Sequence, residues 1–164
     1  MNLAGGILIV CSDLECRHTL LNILRDQNAD PICAPTIQDA LELLGHQTTG
    51  LVFCDRDLPD GSYRDFLVAL RPLKSRVRVV VTSRQADWDE YLDAMRYGAF
   101  DVIAAPCRPT DVEWMMIQSH REQRSQLRAL VSAAAPATAY PQSADGRPLN
   151  RQPNFSRKII QPLR

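Results

Sequence analysis

The segment LVFCDRDLPDG, residues 51–61, sets three acids within six positions, and its first acid, Asp55, stands directly behind the apolar Leu51, Val52, Phe53 and Cys54. A carboxylate presented at the end of a buried strand can attack a phosphoryl group. That reaction also needs a divalent metal to neutralise the phosphoryl oxygens, and a hydroxyl and a cation to hold the product. Thr82, in VVVTSR, is the candidate hydroxyl, and Asp13, in CSD, and Asp57 are candidate partners of Asp55 for a metal. Arg56, Arg84 and Arg108 are the cations within reach in chain order, although each also suits an ordinary surface position.

Positioning these groups requires strands that end together. Apolar runs rich in β-branched residues occur at residues 6–11, 51–55, 77–82 and 101–105, with a weaker run at 30–36. They are nearly continuous rather than alternating, as expected of strands covered on both faces in a parallel sheet. Between and after them, five helical stretches open on a short polar residue followed three positions later by an acid. The pairs are Ser12 with Glu15, Thr36 with Asp39, Ser62 with Asp65, Asp87 with Glu90, and Thr110 with Glu113. Gly45 and Gly98 are placed to close the second and fourth helices. Five β-α units with right-handed crossovers give a doubly wound α/β fold of three layers. In such a sheet the loops at the carboxyl ends of the strands splay apart and form the site. That end gathers Cys11, Ser12 and Asp13, then Asp55, then Thr82 and Ser83, then Ala105 and Pro106.

This layout resembles the receiver domain of bacterial response regulators over residues 5–122. Asp55 matches the phospho-accepting aspartate, Thr82 the switch hydroxyl, AMRYGAFDVI the small-residue stretch before the fifth strand, and Pro106 the proline that follows an invariant lysine. The D-x-x-x-P-D-G signature reads here as Asp55, Pro59, Asp60 and Gly61. The resemblance implies a flavodoxin-like five-stranded parallel sheet of order 2-1-3-4-5. It also implies two-component phosphorelay signalling, a magnesium ion beside Asp55, for which Asp13 and Asp57 are the candidate further ligands here, and a histidine kinase or phosphotransfer protein as donor. A downstream protein would dock on the fourth and fifth helices.

The sequence departs from the family's pattern around the nucleophile. The two acids that usually follow the first strand are Cys11 and Ser12, the lysine is Ala105, and the aromatic of the fifth strand is Val102. A thiol is a poor ligand for magnesium, and a serine hydroxyl a weak one. Two readings follow: a phosphorelay receiver with a weakened metal site, or a pseudo-receiver that binds partners without phosphorylation. A third rests on Cys11, Cys54 and Cys107 near one rim, which suit a thiol-based redox sensor or a soft metal; buried cysteine acting as a small hydrophobe is the commoner state. No catalytic triad or glycine-rich phosphate loop is present, so an enzyme is not expected.

The 164 residues hold 19 basic and 19 acidic side chains, unevenly spread: residues 1–123 carry 12 against 18, and residues 124–164 carry 7 against 1. No apolar run approaches the roughly 20 residues of a membrane span, and the N-terminus lacks a signal-peptide pattern, so a cytoplasmic protein is expected. The five cysteines form no C-x-x-C pair and suggest no disulfide framework. The fifth helix extends past the domain over residues 123–135, where Leu127, Leu130 and Val131 fit either a dimerising or a solvated face. Residues 136–164, with five prolines, read as a disordered basic tail. Nucleic acid is not an expected partner.

Overall fold

The computed structural model describes residues 5–73 and 77–134. Strands β1 (Gly6–Val10), β2 (Ile32–Ala34), β3 (Thr49–Asp55), β6 (Arg78–Ser83) and β7 (Asp101–Ala104) form one parallel sheet in the order β2-β1-β3-β6-β7. This is the expected 2-1-3-4-5 order and the flavodoxin-like α/β fold. Helices α1 (Leu14–Asp26), α2 (Ile37–His46), α3 (Tyr63–Leu70), α4 (Trp88–Tyr97) and α5 (Pro109–Ala134) cover both faces. A small antiparallel hairpin, β4 (Asp57–Leu58) with β5 (Gly61–Ser62), follows β3 and was not legible as strand. The expected basic tail lies outside the described residues.

Continuous apolar runs are explained by alternation across a sheet buried on both sides. Leu8, Val10, Val52, Cys54, Val79 and Val81 pack toward Ile37, Ala40, Tyr63, Phe66 and Ala94 of α2, α3 and α4. The intervening Ile7, Ile9, Leu51, Phe53 and Val80 pack toward Leu20, Leu24, Val112 and Met115 of α1 and α5. Phe53 is fully buried in the central strand, where truncation to alanine costs about 3–5 kcal/mol.

Three of the five expected helix caps hold. Thr36 accepts from the Asp39 amide, Ser62 and Asp65 form a capping box, and Asp87 accepts from the Glu90 amide. Two are corrected. Asp13, not Ser12, caps α1, because the helix begins at Leu14, and its side chain accepts from the amides of Glu15 and Cys16. Helix α5 starts at Pro109, whose missing N–H costs nothing in a first turn, so Thr110 lies inside the helix. Gly45 likewise falls inside α2, which ends at His46 with Gln47 as its C-cap, whereas Gly98 closes α4 in the left-handed conformation at φ 99°. Helix α5 is continuous for 26 residues, and from Arg124 to Ala133 every side chain is exposed.

Candidate functional site

Register brings the site together at the carboxyl end of the sheet. Asp55 ends β3 directly opposite Thr82 of β6, and Val10, just before Cys11, lies opposite Cys54. Half-buried there, Asp55 accepts a hydrogen bond from the Arg56 amide at 2.9 Å on Oδ1 and faces the Cys11 thiol at 3.5 Å on Oδ2. Burial pushes its carboxyl above the ordinary range, with Asp13 and Asp57 adding in the same direction; the Arg56 amide and the Cys11 thiol oppose this. No ion pair within 4 Å reaches Asp55 among the described residues.

An open cavity of about 500 Å³ lies over it, walled by Ser12, Asp13, Asp55, Asp57, Ser83 and Arg84 among others. The three acids named as metal partners therefore share one cavity, but their oxygens are differently engaged. Asp13 accepts from the Glu15 and Cys16 amides on Oδ1 and from the Arg84 guanidinium on Oδ2 at 2.9 Å. The Cys16 and Glu15 amides hold its carboxyl below the usual range, with Arg84 adding to the effect. Asp57 stands in solvent, 3.7 Å from Arg56 Nε. Magnesium demands several hard oxygens in near-octahedral order. A capped and paired Asp13, a solvated Asp57 and a thiol at position 11 do not make that set.

Thr82 is not a wall of the cavity. It is buried and its hydroxyl points to the Cys54 carbonyl, 3.5 Å away. The hydroxyl residues at the cavity are Ser12 and Ser83, and Ser83 donates to Glu90 Oε2 at 2.7 Å. Glu90 also pairs with Arg56 at 3.3 Å, so the loop after β3 is tied to the first turn of α4. The cations at the site come from Arg56 and Arg84; Ala105 supplies none, and Arg108 does not line the cavity. Val102 is half-buried on β7 and packs against the cluster under α4.

Asp60 of the P-D-G signature has a structural task. Its carboxylate accepts from the Ile37 and Gln38 amides at 2.9 and 3.1 Å, capping α2 from another loop. Gly61 lets this hairpin approach α2: a Cβ there would lie 2.9 Å from Ile37 Cδ1, at a φ of 157°.

The expected trio of rim thiols is corrected by the pleat. Cys54 points into the cluster under α2, α3 and α4, while Cys11 and Cys107 lie in the cluster on the other face. Burial raises the Cys54 thiol well above its ordinary value and pushes Cys107 up to about 12. The thiol that does join Cys11 is Cys16, in the first turn of α1. The sulfurs of Cys11 and Cys16 and a carboxylate oxygen of Asp55 lie within 4.8 Å of one another. The signal for it was a strand-turn-helix junction with cysteines five apart, a spacing outside the usual C-x-x-C pattern.

The response regulator receiver domain matches residues 7–117, and the chain belongs to that family. It is thus a receiver domain of two-component phosphorelay signalling. It is 30% identical over 105 residues to the alginate biosynthesis transcriptional regulatory protein AlgB of Pseudomonas aeruginosa, covering 64% of this chain and 23% of AlgB. Identity to the regulatory protein LuxO of Vibrio cholerae is 33% over 72 residues, covering 44% of this chain and 16% of LuxO. The chain therefore spans a quarter or less of these relatives. Among solved structures, the signal receiver domain of a putative LuxO repressor protein from Vibrio parahaemolyticus superposes with a TM-score of 0.69 at 20% identity, covering 77% of this chain and 96% of that one. A putative response regulator from Chloroflexus aurantiacus gives 0.67 at 21%, covering 71% and 98%. Receiver domains generally bind Mg2+, the ion for which this donor set is a poor match.

Proposed function

We propose that this receiver serves as a protein-interaction module whose output does not depend on magnesium-assisted phosphorylation of Asp55. One observation carries the reading: the carboxylate faces a thiol and one amide, where a phospho-acceptor needs a metal-bearing acidic pair and a cation. The inward Thr82 hydroxyl supports it as well. The chain on this reading is not an enzyme. Its upstream partners are a histidine kinase or phosphotransfer protein, and its location is the cytoplasm. No helix among the described residues is long and apolar enough to cross a membrane. Exposed Trp88, Leu92 and Met95, at i, i+4 and i+7 on α4, with Trp114 on α5, offer the apolar face for a downstream protein. Leu127, Leu130 and Val131, exposed on the end of α5, suit a second copy of the chain.

A second reading keeps Asp55 as a slow phospho-acceptor, and is favoured by its place in an open cavity with Arg56 and Arg84 on the walls. The two are separated by intact mass and amide spectra of the wild type and Asp55→Asn in acetyl phosphate or beryllofluoride with magnesium. The expected outcome is no phosphoryl mass gain and unchanged spectra. A gain confined to wild type, with shifts at Thr82 and α4, would establish the phospho-switch instead.

A further inference from the structure

We propose that Cys11, Cys16 and Asp55 form a binding site for a thiophilic divalent cation of the zinc class. Their three donor atoms lie within 4.8 Å of one another. Tetrahedral zinc, with bonds of about 2.3 Å to sulfur and about 2.1 Å to oxygen, sets sulfur–sulfur edges near roughly 3.8 Å and sulfur–oxygen edges near roughly 3.6 Å. The Cys11 Sγ to Asp55 Oδ2 distance of 3.5 Å already has that length. The other two edges run to Cys16, half-buried on the first turn of α1, and are within 4.8 Å.

Cys16 sits in the first turn of α1, where the positive end of the helix favours an anionic ligand. Cys11 is buried at the end of β1, its thiol also 3.4 Å from the Asp13 carbonyl. Binding releases one proton from each thiol to solvent and leaves both sulfurs and one Asp55 oxygen on the metal. Arg84, on the wall beside Cys16 and Asp55, is already matched by Asp13. A cavity of about 290 Å³ opens between Cys16 and Asp55, with Glu15, Thr19 and Pro106 on its walls, and leaves room for a water or an outside ligand at a fourth position. Magnesium would not choose such donors, whereas zinc and cobalt(II) do. The ion would occupy the Asp55 oxygen that a phosphoryl group needs. The site itself stands or falls independently of whether Asp55 is ever phosphorylated.

The full chain, reduced and freed of metal, is titrated with Co2+ and with Zn2+ against a chromophoric chelator. One ion per chain is expected, with a thiolate-to-cobalt charge-transfer band in the near ultraviolet. Cys16→Ser should abolish the band and weaken Zn2+ by more than the roughly 10–100-fold that loss of an outer-sphere partner costs. Asp55→Asn should keep the band and weaken binding, and Cys33→Ser should change neither. Because Cys11 is a core residue, the half-buried Cys16 is the deciding position, and circular dichroism of its serine variant verifies folding. A band that survives in folded Cys16→Ser, or Zn2+ affinity unchanged by both Cys16→Ser and Asp55→Asn, would overturn the proposal.

Discussion

Asp55 and Asp60 lie at the two ends of the segment DRDLPD, yet their surroundings drive their carboxyls in opposite directions. The Ile37 amide, then that of Gln38, hold Asp60 below the ordinary carboxyl range. Asp55, with one backbone donor and a thiol, is held above it by burial. The hairpin is thus built to fix geometry, bringing the loop after β3 onto the start of α2. The end of β3 retains a carboxylate whose expected charge partners are gone. Signature residues that serve the backbone and those that serve chemistry can persist separately, and a motif match alone does not distinguish them.

Breaking the structural half should have the larger effect. Asp60→Ala removes a cap from α2 and should lower stability by about 1–2 kcal/mol in a denaturant titration at neutral pH. The sign with pH follows from the depressed carboxyl: the wild-type contribution is present above the unfolded value near 3.8 and is lost as pH falls through the folded value. The difference between wild type and Asp60→Ala should therefore narrow in acid. Asp55→Asn should do the reverse, raising stability by on the order of 1 kcal/mol at neutral pH, because it removes a half-buried charge with no cationic partner. A carboxyl raised in the folded state favours folding when protonated, so the penalty is full above its folded value and fades as pH falls toward 3.8. Thermal melts of both variants across acid and neutral pH would sharpen the comparison. Parallel rather than opposed pH trends would break it.

The sheet order, the five helices and the clustering of Asp13, Asp55 and Asp57 were legible because apolar runs and cap pairs reflect burial and backbone geometry along the chain itself. Side-chain direction was less so. Thr82 and Ser83 are adjacent in VVVTSR, and only the pleat decides that the first hydroxyl turns to the Cys54 carbonyl and the second to Glu90. The same alternation sends Cys11 and Cys54, neighbours by strand order, to opposite faces of the sheet. Cys16 escaped notice because its nearness to Cys11 depends on how sharply the chain turns at Ser12 and Asp13. Asp60 capping a helix 23 residues away is a tertiary contact with no local signature.

The smallest expected effect concerns the arm that crosses the cavity. Arg84 is 77% exposed and pairs with Asp13, itself 37% exposed, so the ion pair is screened and holds two side chains at an entropic cost. Arg84→Ala should change stability by less than about 0.5 kcal/mol. Asp13 keeps its two amide donors without the arginine, so α1 stays capped. What should change is access: Arg84 lines both cavities that share Asp55, and its removal unroofs them together. Cys16 borders the smaller cavity, and its alkylation by a small iodoacetamide-type reagent should be faster in Arg84→Ala than in wild type at equal pH. An unchanged rate would place the barrier in Glu15, Thr19 and Pro106 rather than in the arginine, and would make the cavity beside the thiol independent of the loop after β6.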